Sequence, residues 1–218
     1  ELNIANFNTD DCSYTTLKRS TLINFLKKDL GNLIKTDYNI SKIEQHSKQI
    51  NLSFENDETD ECDYLIISDG VFSKSKSLIS NYESKPKYND TLAIRGILTK
   101  SPENIDNKNI SLFLDSDFHQ VIYPTNSSGD LNFIAIMKYQ LSIDQGKNHS
   151  SFSDNSFVQK VLEKIPLENK KFLDNLSELK IFPVFVSENF YKIQNNNIHL
   201  IGDAFFAFPP SFAQGASQ

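Results

Sequence analysis

The chain has 218 residues, enough for one large domain or two small ones around a sizeable core. It is 39% hydrophobic and 23% charged, as ordinary globular proteins are, and its formal charge of −6 offers no basic surface to nucleic acid or an anionic membrane. No run approaches the ~20 apolar residues of a membrane span, and the opening "ELNIANFNTDD" has no secretory-signal pattern. Cys12 and Cys62 have no neighbours at metal-ligand spacing, and the four histidines are scattered. No metal site and no disulfide framework are therefore expected, and a reducing cytoplasm is the expected compartment.

The first strong pattern is "TLKRSTLINFLKKDLGNLIK". Leu22, Leu26, Leu30 and Leu33 recur at helical spacing, and Ile23 and Ile34 widen the face, with Ser20 as N-cap and Arg19 just ahead of the helix. "YNISKIEQ" and "INLSFEN" alternate as the strands of a hairpin. "CDYLIISDGVFSKSKSLI" reads as a short strand ending at Ser68-Asp69-Gly70 and then a short helix. Four strand-like runs follow, "TLAIRGILT", "ISLFLD", "HQVIYPT" and "LNFIAIMKY", parted by turn-rich polar segments; a mostly antiparallel sheet is expected. Residues 141–156 read as a polar loop, and "SFVQKVLEKI" and "LENKKFLDNLSEL" as two helices broken at Pro166. "IFPVFVS" and "FYKI" are extended and lead into a closing strand, "IHLI". The order is α/β, then a β-meander, then helices, then α/β again, as when a sheet domain is inserted into a nucleotide-type domain.

Two of the apolar strands end in an acidic residue beside glycine, "LIISDG" and "HLIGDA". In open α/β sheets ligands bind beyond the carboxyl ends of the strands. An aspartate there accepts hydrogen bonds from sugar hydroxyls, and a glycine lets the backbone approach a phosphate. Either pair alone is also what a plain turn contains; the two together point to a site. Arg19, with the free N–H groups of the following helix, suits an anion such as a pyrophosphate, although an arginine ahead of a helix is also commonly just solvated. No nucleophile elbow, P-loop, zinc-protease motif or G-x-G-x-x-G is present.

In order, "LKRSTLINFL", "DYLIISDGVFSKSK" and "IHLIGDAFFAFPPSFAQGASQ" resemble the arginine-helix segment, the Asp-Gly motif and the Gly-Asp motif of the FAD-dependent aromatic hydroxylases, the single-component monooxygenases of the p-hydroxybenzoate hydroxylase fold. "AIRGIL", "HQVIYPTNSSGDLNFIAI" and "FAQGA" look closest to the salicylate-hydroxylase and zeaxanthin-epoxidase-like branch, with ubiquinone-biosynthesis hydroxylases second. Phe206 stands where that family commonly has histidine, and Ser68 where it has alanine. The resemblance implies an α/β fold with an α+β insertion. Residues 1–87 would be a partial Rossmann-like FAD-binding domain, 88–190 a sheet domain with helices for substrate, and 191–218 a truncated return to the FAD-binding domain. It also implies that the G-x-G-x-x-G unit and the C-terminal helices of the family lie outside this chain.

The site residues implied by the resemblance are Arg19 near the FAD pyrophosphate, Asp69 and Gly70 shaping that region and the NAD(P)H approach, Gly202 and Asp203 at the ribityl chain, and Pro210 stiffening the loop beside the flavin. The backbone of Gln214, Gly215 and Ala216 would face the flavin N1–C2=O edge, where N–H groups at a helix N-terminus stabilise negative charge. Tyr123, Phe205 and Phe208 would line the substrate pocket; Phe133 is a further candidate for which core packing is the competing role. No side chain is assigned as catalytic, because the cofactor carries the chemistry. The implied reaction uses FAD, NAD(P)H and O2 to hydroxylate an aromatic or similarly electron-rich small molecule through a flavin C4a-hydroperoxide. The rival readings are a non-catalytic remnant or interaction module that binds no flavin, and a related flavin reductase. A halogenase is disfavoured by the lack of tryptophan. A quinone-precursor substrate would place the protein at a membrane periphery instead of the bulk cytoplasm.

Overall fold

A computed structural model describes residues 9–11, 16–46, 49–79, 85–100, 105, 109–125, 129–142, 145, 152–188 and 197–210. It is a mixed α/β structure. The chain runs through α1 (Arg19–Lys27), β1 (Ile40–His46), β2 (Gln49–Phe54), β3 (Thr59–Cys62), β4 (Leu65–Ile67) and α2 (Ser75–Ile79). It continues through β5 (Lys87–Leu98), β6 (Ser111–Leu114), β7 (Phe118–Pro124), β8 (Leu131–Lys138), α3 (Asn155–Glu163), α4 (Leu167–Lys170), β9 (Leu176–Val186) and β10 (Ile198–Leu200). Two compact units result: Glu1–Gly31 with Asp90–Pro183, and Asn32–Asn89 with Val184–Gln218.

The first unit is built on a five-stranded sheet in the order β6-β7-β8-β5-β9. The four strands expected from sequence are there, and the three pairings β5–β8, β6–β7 and β7–β8 are antiparallel. Side chains alternate across a strand, so register sorts them into two faces. One face carries Leu92, Ile94 and Leu98 of β5, Ile122 of β7, and Leu131, Phe133 and Ala135 of β8, all fully buried. Removing the leucine, isoleucine and phenylalanine side chains among them from water stabilises the fold by roughly 1.5–3 kcal/mol each. Helices belong to this core. Phe157 and Val161 of α3 are buried, the Phe172 ring lies 5.3 Å from Phe113 of β6, and Asn169 of α4 donates to buried Gln120 of β7 at 3.3 Å. Phe133 is therefore core and not pocket lining. Helix α3 starts where Asp154 accepts a 2.7 Å hydrogen bond from the Ser156 N–H, an N-cap in a β-region conformation.

The expected helix over "LENKKFLDNLSEL" is mostly something else. After α4 comes one 3₁₀ turn at Leu173–Asn175, and Leu176 already belongs to β9. Tertiary packing overrides local helix preference here. Ser177 Oγ donates to the Ile97 carbonyl at 3.1 Å, and the Leu176 side chain lies against Gly96. A β-carbon added at Gly96 would meet Leu176 at 2.7 Å and the Ser177 carbonyl oxygen at 3.0 Å, so this strand contact requires glycine.

Helix α1 also departs from expectation. It ends at Lys27, Leu33 sits in a separate 3₁₀ turn (Gly31–Leu33), and Arg19 is its first helical residue, not the residue before it. The residue at the N-cap is Lys18, with no side-chain cap, so Ser20 does not cap the helix. Asp29, Gly31 and Asn32 are poor helix formers, and Gly31 takes a φ of +41°. The apolar positions are right but they do not form a core: no residue of α1 is buried, and Phe25 is 73% exposed.

In the second unit β1, β2 and β3 form an antiparallel meander; β1–β2 is the expected hairpin. Strand β3, "TDEC", has no apolar alternation and is held by its ladder with β2. Strands β4 and β10 pair in parallel, Leu65 with Ile198 and Ile67 with Leu200. Their inward residues join Ile50, Leu52 and Ala204 in one apolar core, flanked by Ile43, Phe54 and Ile79. "IFPVFV" belongs to β9 (its first residues, through Pro183, in the first unit) and Ser187 follows it, while "FYKI" lies outside the described residues. Among the described residues no helix is long and apolar enough to cross a membrane.

Candidate functional site at the carboxyl ends of the parallel strands

Sequence places the Asp-Gly and Gly-Asp pairs 133 residues apart in numbering, and folding sets them side by side. Because Ile67 and Leu200 are register partners on parallel strands, Ser68-Asp69-Gly70 and Ile201-Gly202-Asp203 leave the same end of the same sheet. The Ile201 N–H donates to the Ile67 carbonyl at 3.0 Å, carrying the pairing to the brink of both loops. Gly70 has a φ of +85° and Gly202 a φ of +56°, a backbone region that favours glycine. Among the described residues, no heavy atom beyond the chain neighbours lies within 4 Å of a β-carbon built at either position, so both glycines open onto free space.

The two aspartates differ. Asp69 Oδ2 accepts from the Ser75 N–H at 3.2 Å, which ties the loop after β4 to the start of α2. Asp203 is exposed in the single 3₁₀ turn Gly202–Ala204, anchored by buried Ala204. The loop beyond it is pinned within its own unit. Ser187 N–H donates to the Ala207 carbonyl at 3.0 Å, and Ala207 N–H donates to Ser187 Oγ at 3.0 Å. Phe205 is 41% exposed, and Phe208 stacks edge-on against Phe206 with ring centroids 4.7 Å apart. Pro210 closes the described part of this loop and is exposed; Gln214, Gly215 and Ala216 lie outside the described residues.

Lys76 of α2 carries no signal in the sequence, where "SKSKS" looks like a solvated run. It is only 3% exposed. Burial pushes its ammonium below the usual lysine value, and the Asp69 carboxylate opposes that shift. Nothing in the local pattern announces it, because the burial comes from the fold. Arg19 and Tyr123 belong to the first unit, whereas Asp69, Gly70, Gly202, Asp203, Phe205 and Phe208 belong to the second. Arg19 is exposed at the start of α1, and the preceding turn is tied to the sheet by Thr16 Oγ1 donating to the Pro124 carbonyl at 2.6 Å and by a Lys18–Asp130 ion pair.

The opposite face of the first unit's sheet has a different chemistry. Register aligns Tyr123, Asn132 and Ile97 in one row, and Leu112, Val121, Ile134 and Arg95 in the next. His119 and Ile136 sit in the third row, and burial pushes the His119 imidazole below its ordinary value. The meander of the second unit bears an open polar concavity of about 440 Å³ that includes Glu44, Asp60 and Glu61; two of these are already paired, with Lys42 and Lys35. No group of metal-ligating side chains occurs among the described residues.

No family model matches the sequence, and no curated protein matches it. Solved structures do. Klebsiella pneumoniae HpxO, solved with FAD and uric acid, superposes with a TM-score of 0.74 at 15% identity, over 91% of this chain and 50% of its own. A salicylate hydroxylase in a substrate complex gives 0.70 at 19% identity, over 91% and 53%. The 2,6-dihydroxypyridine-3-hydroxylase of Arthrobacter nicotinovorans gives 0.66 at 16% identity, over 89% and 56%. The chain thus spans about half the length of the structures it matches. Over that half, its fold is the fold of FAD-dependent hydroxylases.

Proposed function

We propose that this chain is part of an FAD-dependent monooxygenase that hydroxylates an aromatic or similarly electron-rich small molecule at the expense of NAD(P)H and O2. The observation that carries the reading is the convergence of Asp69-Gly70 and Gly202-Asp203 at the carboxyl ends of two neighbouring parallel strands, in a fold shared with FAD-dependent hydroxylases. The Rossmann-like character of the second unit, and the role of the first unit's sheet as a substrate domain inserted into it, belong to the same proposal.

The residues present fit the cofactor. Positive-φ glycines with open space beside them let a phosphate or a polyol come close to the backbone. The Asp203 carboxylate, exposed and acceptor-only, suits ribityl hydroxyls. Asp69 supports the site by holding its loop to α2. Pro210 limits the freedom of the loop after Asp203. When bound, the flavin supplies the redox and oxygen chemistry that the protein's own side chains lack. The chain's part is to hold the cofactor, to present an apolar wall to the substrate and to exclude water.

The test is Asp203→Ala in protein expressed from its own gene. Because Asp203 is exposed, the variant should melt as the parent does while flavin uptake, followed by absorbance, falls at least about tenfold, the loss of a charge-assisted hydrogen bond. Unchanged flavin uptake by the variant, or no flavin in the parent, would overturn the reading. NAD(P)H oxidation stimulated by an aromatic compound then tests the reaction itself.

A further inference from the structure

Both loops of the candidate site touch one short stretch of chain in the same unit, the end of β9. Ser187, just past the strand, takes both backbone groups of Ala207: its N–H donates to the Ala207 carbonyl and its Oγ accepts from the Ala207 N–H, each at 3.0 Å. In an antiparallel pair of strands a residue offers its N–H and its own carbonyl. Here the serine hydroxyl stands in for that carbonyl, so a side chain decides whether the second bond forms. Ala207 is 3% exposed, and its N–H is costly to leave without an acceptor. Phe185 lies two residues before Ser187, the spacing that puts side chains on one side of a strand. Its ring meets Phe72 edge-on with centroids 5.0 Å apart. Phe72 follows Gly70 by two residues, and Ala207 follows Asp203 by four. This stretch is itself anchored to the start of β5, where the Tyr88 ring lies 5.9 Å from Phe185 and Lys87 pairs with Glu188 at 3.5 Å.

We propose that the end of β9 is a common brace for the two loops, with Ser187 a positioning residue for Asp203 and Phe185 a positioning residue for Asp69-Gly70. The inference rests on the monooxygenase reading for what the loops hold, and on the hydrogen bonds and ring contact for how they are held. Asp203 sits in a single 3₁₀ turn, closed by the Phe205 and Phe206 N–H groups donating to the Gly202 carbonyl at 2.9 and 3.0 Å. Those bonds are internal to the turn. The bonds to Ser187 tie it to a different part of the chain and limit how far it can swing. The loop after β4 is alike: the Ser73 N–H closes it on the Gly70 carbonyl at 3.0 Å, while the Phe72 ring, 53% exposed, reaches out to Phe185. A loop that is free to move must be ordered when a ligand binds, and that cost appears as lost affinity. A brace shared by both loops removes it for both at once.

The experiment titrates FAD into protein expressed from its own gene, at a temperature where parent and variants are all folded. Ser187→Ala should weaken flavin uptake about tenfold, and Ser187→Thr, which keeps the hydroxyl, should stay within about threefold of the parent. Phe185→Leu, which keeps an apolar side chain and loses the ring contact, should weaken uptake about threefold. Gly96→Ala is the control for stability alone: it should unfold more easily and bind flavin as the parent does. Placed on Asp203→Ala, Ser187→Ala should add less than about twofold, because the serine acts through that loop. A full tenfold in that background, or a threonine variant as weak as the alanine one, overturns the proposal. Amide hydrogen exchange is followed on the same samples, and it should quicken around Ala207 in Ser187→Ala and around Phe72 in Phe185→Leu. A flavin-binding parent whose two variants neither lose affinity nor gain exchange sinks this inference and spares the proposed function. A flavin-free parent whose loops exchange faster in those variants does the reverse.

Discussion

The five-stranded antiparallel sheet and the two-stranded parallel pair solve burial differently. The antiparallel sheet fills one face with Leu92, Ile94, Ile122, Leu131 and Phe133 and draws on its own unit's helices to do so. The parallel pair buries Ile67, Ile198 and Leu200 on one side, while Ile66 on the other is 63% exposed and Tyr64, just before the strand, 67% exposed. Parallel strands normally have both faces covered. The larger set of fully buried side chains thus lies on the antiparallel sheet, and the candidate cofactor site at the parallel pair. Residues of the first should govern folding, and residues of the second should govern binding with smaller effects on folding.

The largest blow to that contrast comes from Phe133→Ala. Emptying a fully buried aromatic site should cost about 3–5 kcal/mol in denaturant unfolding; a cost under 1 kcal/mol would mean that the sheet does not hold the unit together. Next comes Gly96→Ala, whose new methyl group meets Leu176 and the Ser177 carbonyl. Overpacking should cost about 1–3 kcal/mol by the same measurement, without altering flavin uptake. In the parallel pair, Gly202→Ala meets no neighbour but must adopt a φ of +56°, at a cost of about 1 kcal/mol. Its larger consequence should be weaker flavin uptake, because a β-carbon now stands where the cofactor would approach. If Gly96→Ala impaired flavin uptake as much as Gly202→Ala, the division of labour would fail.

The smallest effect tests the edge of the antiparallel unit. The Ser156 side-chain and backbone hydrogen bonds hold the Asp154 carboxyl below the usual carboxylate range. The stabilisation from its charged form is present above an ordinary aspartate pKa and is lost as pH falls through the lower folded value. Asp154→Asn keeps an N-cap acceptor and removes that acid dependence, so its unfolding midpoint should fall less than the parent's between neutral and acid pH. A parallel pH response in both proteins would show that the cap does not titrate with folding.

Much of this was legible in the linear chain because it is local. Alternation marked the β1–β2 hairpin and the runs that became β5, β6, β7 and β8. Apolar runs ending in Asp-Gly and Gly-Asp marked the two loops, since glycine beside a strand end has few other uses. "LSEL" was not legible: its helix propensity is real, but Leu176 and Ser177 gain more by packing and bonding along β5. Strand β3 has no side-chain pattern because its stability lies in backbone hydrogen bonds to β2.

The sequence by itself marked most of the strands, where the chain turns, and the two loops that pair an aspartate with a glycine. Only the tertiary structure decided that Asp69 and Asp203 belong to one place, through the parallel register of Ile67 with Leu200. It also decided that Phe133 faces the core while Asn132, its neighbour, faces the other way with its amide nitrogen unpaired. The physical reason is the same in both cases. Propensity and turn chemistry act over a few residues, whereas strand pairing joins positions far apart in the chain, and only pairing fixes which side chains share a face.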